Sequence, residues 1–126
     1  MYRFHHLHVI CNDLEAMLKL FRDTLGAKYT GARKFGGADG ATLDLAGVPV
    51  YLRKAREGEK ILAGPTDTHF GYNHLGLEVE NLDAVYQDLQ KKGYVFTSPP
   101  RDAGDNRVAF FKGPDNIMFE VLQRKK

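Results

Sequence analysis

The chain has 126 residues, so one compact domain able to bury a core without covalent staples is the expectation. Its formal net charge is +2, from 18 basic and 16 acidic residues, and the basic residues are scattered except for the terminal Arg124-Lys125-Lys126, which excludes the basic stripe of a nucleic-acid binder. The single cysteine, Cys11, rules out an internal disulfide; with no signal-peptide core and no long apolar span, no membrane partner is expected and a reducing cytoplasm is the expected location.

In chain order, Phe4 to Asn12 reads as a strand of low charge. Asp13 is placed to cap the helix that follows, with Glu15 in its first turn. Leu14, Met17, Leu18, Leu20, Phe21 and Leu25 recur at helical spacing, and Gly26 stops the run. "AKYTGAR" is then a strand and "GGADG" a turn, and "ATLDLA" and "VPVYLRK" are strands joined through Gly47. Residues 55–70 are charged, contain a proline and read as a linker. The order then repeats. "NHLGLEVE" is a strand, Asn81 a cap, and Leu82, Val85, Tyr86 and Leu89 a helix face ended by Gly93. "YVFTS" is a strand, followed by a loop to Asn106. "RVAFFK" is a strand, "GPDN" a turn and "IMFEVLQ" the last strand.

Two βαβββ modules result, about 3–54 and 71–124. The pairs His8/His74, Gly26/Gly93 and Tyr51/Glu120 are separated by 66, 67 and 69 positions, and internal similarity on this scale is the first guide to architecture. The fold class expected is α+β, with the two modules forming a curved mixed sheet around a central cavity.

Strand alternation sorts the side chains. Leu7, Val9 and Cys11 share the helix-facing side of the first strand, leaving His6, His8 and Ile10 opposite. Leu75, Leu77 and Val79 do the same in the second module, leaving His74, Gly76 and Glu78. Ile117, Phe119 and Val121 are core positions, so Glu120 points away from the helices, as do Tyr51 and Arg53. Around a concave sheet His8, His74, Tyr51 and Glu120 can converge. Two imidazoles and a carboxylate suit a divalent metal, whereas each residue alone also fits a hydrogen-bonded strand histidine or a carboxylate on a wet face. His5 falls on the opposite face, and His69 lies in the linker with a solvent-exposed role.

The segments "LHVICNDLEAMLKLFRDTLGAKY", "YNHLGLEVENLDAVYQDLQKKGY" and "FFKGPDNIMFEVL" resemble the vicinal oxygen chelate superfamily, which includes glyoxalase I, methylmalonyl-CoA epimerase, extradiol dioxygenases, fosfomycin thiol transferases and bleomycin-resistance proteins. The resemblance covers nearly the whole chain and implies a single domain, 1–126, centred on one divalent ion (Fe, Mn, Ni, Co or Zn). It implies metal ligands His8, His74 and Glu120, with Glu120 also the catalytic base. Tyr51 occupies the remaining ligand position, and a phenol with a pKa near 10 is a poor ligand at neutral pH. The position differs from the glyoxalase I carboxylate and the epimerase glutamine. The tyrosine that extradiol dioxygenases and thiol transferases carry near the last turn is Phe110 here, and the thiol-transferase threonine two residues after the first histidine is Ile10.

The activity implied is that of a glyoxalase-like lyase or isomerase on a small oxygenated metabolite chelated to the metal. An extradiol iron dioxygenase and a metal-free ligand-binding protein of the bleomycin-resistance type are the alternatives. Tyr51, Arg53 and His6 are the expected substrate contacts, His6 being also a second candidate base and Arg53 suited to an anionic group. Arg107 and Asn73 are lesser candidates. A homodimer is the expected assembly.

Overall fold

The structure is a computed structural model that describes all residues, 1–126. The chain divides into two compact units, Met1–Leu62 and Ala63–Lys126, with the division inside the expected linker. Each unit carries its own mixed sheet, in keeping with the α+β fold of two modules expected from the sequence.

The first unit runs β1 (Leu7–Ile10), α1 (Leu14–Leu18), a π-helical continuation (Lys19–Thr24), β2 (Lys28–Phe35), β3 (Ala38–Leu45) and β4 (Val48–Arg53). Asp13 caps α1 by accepting a hydrogen bond from the Ala16 N–H at 3.1 Å. The helix ends at Gly26, whose φ of 78° is open to glycine without steric cost. The sheet order is β1-β4-β3-β2, with β1 parallel to β4 and the other pairs antiparallel. The expected turn over "GGADG" is tighter than its five residues. Gly36 and Gly37 alone make it, with φ of 57° and 88°, the mirror-type hairpin turn that follows strand twist; Ala38 already belongs to β3.

The second unit runs β5 (Leu75–Glu78), α2 (Leu82–Lys91), β6 (Val95–Phe96), β7 (Arg101–Ala103), β8 (Asn106–Lys112), a 3-10 turn (Pro114–Asn116) and β9 (Met118–Arg124). Asn81 caps α2 through the Ala84 N–H at 3.1 Å. The Leu82 N–H donates to Gln123 Oε1 at 2.8 Å, which ties the start of α2 to β9. The module has one strand more than expected. The Pro-rich loop contains β7, so β6 and β7 share β8 as partner. Two consecutive prolines, which lack the donors a continuous ladder needs, separate them.

In each unit the helix covers one face. Met17, Leu20 and Phe21 are buried with Leu43, Val50 and Leu52 in the first, and Leu82 and Leu89 with Phe111, Phe119 and Val121 in the second. Each such side chain contributes about 1.5–3 kcal/mol. Phe111 stacks on Phe119 with ring centroids 5.2 Å apart. The opposite faces carry the polar candidates.

Gly40 has a separate role. A Cβ there would meet the Leu52 carbonyl oxygen and the Phe35 ring at 2.6 Å, so the absence of a side chain lets Phe35 lie across the sheet. Gly40→Ala is expected to lower unfolding free energy by about 1–3 kcal/mol through overpacking. Urea denaturation followed by circular dichroism measures it; a change within error would mean that the Leu52 backbone and the Phe35 ring both give way freely.

Candidate functional site

The two units repeat at an offset of 68 positions. Leu75 lies 68 positions after Leu7, and both open their strands. The caps Asp13 and Asn81 are also 68 apart. In the parallel ladders His8 stands opposite Tyr51, and Gly76 opposite Glu120. The counterpart of His8 is therefore Gly76. The counterpart of His74 is His6, one residue before its strand as His74 is before β5. The pairing of His8 with His74 expected above is corrected on this point: the helix caps and the registers keep the phase of the repeat, and a spacing of 66 does not.

In the second unit, His74 and Asn73 are joined by a 2.7 Å hydrogen bond from imidazole Nδ1 to the amide oxygen Oδ1. This leaves Nε2 directed at Glu120 Oε1, 3.6 Å away. Phe110, opposite Glu120 in the β8–β9 ladder, meets the His74 ring edge-on at 5.0 Å. Gly76 keeps the space beside the carboxylate open, since a Cβ there would stand 3.2 Å from Oε1. Both side chains are partly covered, with 31% exposure for His74 and 17% for Glu120.

The first unit repeats this plan with different chemistry. Nδ1 of His6 is hydrogen-bonded to Nδ1 of His5 at 2.9 Å, so His5 stands where Asn73 does. His6 stacks on Tyr51, the counterpart of Glu120, with centroids 4.4 Å apart and planes 29° apart. His8 packs against Phe35 at 4.8 Å and meets Tyr51 edge-on at 6.0 Å. Cover from these rings comes first, and the like charges of Arg53, His6, Arg56 and Arg33 second, in pushing the His8 pKa below the ordinary histidine value.

Arg53 does not stand free for a substrate. It is 5% exposed, and its two terminal nitrogens donate to the Glu59 carboxylate at 2.7 and 3.0 Å. An anionic ligand would have to displace that carboxylate. Glu59 also accepts the Arg56 N–H at 3.0 Å. Hydrogen bonds from Arg53 and then from the Arg56 backbone hold its pKa down to about 2. Arg107 is similarly engaged by Asp83 at 3.0 and 3.1 Å. His69 is exposed, its Nδ1 3.1 Å from the Asp67 carbonyl oxygen.

Two residues of this face escaped the sequence reading. Phe35 is one. Arg33 is the other: its guanidinium carbon stands 4.6 Å from the Phe35 centroid and 5.0 Å from that of Tyr51. A register shift between Tyr29 and Gly31 resets the alternation of β2, and no residue pattern announces it.

The donors expected for a metal are brought together in part. His74 and Glu120 are adjacent. No cluster of three or more His, Cys, Asp or Glu side chains is assembled. The pair itself fits a metal: two donors each about 2.1 Å from one ion stand roughly 3.0–3.5 Å apart, close to the 3.6 Å observed. Capture of Nδ1 by a neighbouring oxygen is the usual support for an imidazole that ligates through Nε2.

The family model described as "Glyoxalase/Bleomycin resistance protein/Dioxygenase superfamily" matches residues 3–121. The chain belongs to this superfamily. It is 23% identical over 146 residues to the lactoylglutathione lyase of Schizosaccharomyces pombe, spanning 99% of the chain and 48%, about half, of that lyase. Against the Bacillus subtilis protein YraH it is 24% identical over 125 residues, covering 93% of the chain and 94% of YraH. A glyoxalase family protein from Bacillus cereus shares the fold with a TM-score of 0.84 at 14% identity, over 100% of this chain and 96% of that one. The fosfomycin resistance protein FosX of Listeria monocytogenes does so at 0.76 and 17%, over 98% and 93%.

The Arg53–Glu59 pair yields a pH prediction. A carboxylate whose folded pKa is depressed contributes stability that is fully present above its ordinary value of 4.5 and is lost as pH falls toward about 2. Melting temperatures of wild type and Glu59→Gln should differ most above that window and converge toward its acidic end. A gap that stays constant with pH would mean that the pair does not carry the effect.

Proposed function

We propose that this chain is a metal-dependent, glyoxalase-like enzyme, a lyase or isomerase for a small oxygenated metabolite. The observation that carries the reading is the His74–Glu120 donor pair with Asn73 behind it. The proposed ligands are His74, Glu120 and an imidazole from the start of β1. The repeat register favours His6 for that third place over the His8 expected from the sequence. Fe, Mn, Ni, Co and Zn all suit such a set. Bound there, the ion would supply Lewis acidity toward two neighbouring substrate oxygens.

The chain's own residues do the rest. Glu120 is the proposed proton acceptor, because it is a carboxylate beside an uncrowded glycine and next to the site where a substrate oxygen would be held. Asn73 holds the His74 tautomer and ring orientation. Phe110 and Tyr51 shield the two donor positions with aromatic surface. A homodimer is part of the same proposal, motivated by the superfamily, and sedimentation at the single-chain mass would overturn it.

The deciding experiment is elemental analysis of the purified protein. Wild type should carry about one equivalent of metal, with His74→Ala and Glu120→Ala losing most of it and Asn73→Ala weakening affinity by about 10–100-fold. His6→Ala should lose more metal than His8→Ala; the reverse order would restore His8 as the ligand. Iron together with oxygen consumption would shift the reading to a dioxygenase. No uptake of any of the five metals would replace the enzyme reading with a ligand-binding one.

A further inference from the structure

Three arginines bear on the face of the first unit that carries His6 and His8, and two are already committed. Arg53 is held by Glu59 and by the Lys54 carbonyl oxygen at 3.0 Å. Arg56 donates from Nε to the Phe35 carbonyl oxygen at 3.1 Å. Lys34, the next residue of β2, is paired with Asp39, and alternation puts it on the other side of the sheet. Arg33 forms no ion pair and no side-chain hydrogen bond.

It is nonetheless positioned. The rings of Phe35 and Tyr51 lie 4.6 and 5.0 Å from its guanidinium carbon. Contact with an aromatic face holds a guanidinium without consuming its in-plane N–H donors. Phe35 reaches this place because Gly40 gives it room, and Tyr51 because β4 aligns it with His8. The result is an exposed, aromatic-supported fork of donors, the geometry that recognises a planar or tetrahedral oxyanion bidentately.

We propose that Arg33 is the specificity residue of this face and that the substrate carries an oxyanion group, a carboxylate, phosphate or phosphonate, that Arg33 binds. The inference rests on the reading above in taking the His6 side of β1 as the substrate side. A molecule held by one oxygen near His6 would cross the Tyr51 ring, which is 4.4 Å from His6, to bring its anionic end to Arg33. This replaces Arg53, the arginine the sequence pointed to, with one from a different strand.

The test uses the full chain, metal-free and nitrogen-15 labelled, at constant ionic strength set with chloride. Inorganic phosphate and acetate are titrated separately while the Arg33 Nε–H resonance and the imidazole resonances of His6 and His8 are followed. The expected result is a saturable shift of the Arg33 resonance with one or both anions. Phosphate alone would assign a phosphate or phosphonate substrate, and acetate alone a carboxylate. For Arg33→Ala, followed through the imidazoles, the dissociation constant should rise about tenfold or more. Arg33→Lys, which keeps the charge and loses the fork, should fall between the two.

Because Arg33 is exposed, both variants should retain the dispersed spectrum of the folded chain. Equal affinity in wild type and Arg33→Ala, or no saturable shift in wild type with either anion, overturns the inference. Metal uptake on the same samples separates the two proposals. Anion binding that needs Arg33 in a chain that takes up no metal would sink the metal reading alone. Normal metal uptake with no response to either anion would sink this inference alone.

Discussion

The parallel pairing of the first and last strands of each unit is the constraint from which the rest follows. A parallel pair cannot close through a hairpin and needs a long crossover. Here a helix and two or more antiparallel strands supply it, so the last strand arrives between the first strand and the meander. One face of that arrangement is covered by the helix and becomes core. The other is left with the alternate residues of the paired first and last strands, His8 against Tyr51 and Gly76 against Glu120. Any slip of one residue in either ladder would send these groups into the core and the leucines and valines out. The apolar residues that stabilise the unit therefore also fix the place of its polar ones.

Much of this was legible in the residues. Alternation along "LHVI", "LGLE" and "MFEVL" separated core from candidate site, and the caps and glycines bounded both helices. The phase of the repeat was harder to read. "FHHLH" offers three histidines within four residues, and matching the most strand-central one to His74 is natural without a ladder to count along. The caps held the better clue: His6 and His74 each stand seven positions before the residue that caps the helix. Arg33 was out of reach for another reason. Its side of the sheet depends on the irregular pairing between Tyr29 and Gly31, which is a property of two strands together. Arg53 misled because alternation predicts the direction of a side chain and not its company. Glu59, in what reads as linker, claims it.

The two units have kept a backbone plan and exchanged its chemistry. The second presents a carboxylate and an imidazole with little around them but Phe110. The first has an aromatic ring where that carboxylate would be and surrounds it with imidazoles and guanidinium groups. The second unit is thus the better suited to a cation, and the first, beyond the imidazole proposed as a ligand, offers cationic and apolar surface suited to something of opposite charge. Use of one backbone plan twice gives a small protein two unlike surfaces from one folding solution.

The residues just before β1 and β5 show the same divergence on the scale of a single proton. An amide oxygen only accepts, so Asn73 obliges His74 to carry its hydrogen on Nδ1. The contact between His5 and His6 joins two nitrogens of the same kind, and either can be the donor. When both rings are neutral the pair shares one bridging hydrogen, and its transfer reverses which ring offers a lone pair outward at Nε2 only if the far nitrogens exchange protons with water. In the second unit the neighbouring amide oxygen therefore selects the tautomer of the neutral ring, whereas the first has a tautomer that solvent can rewrite.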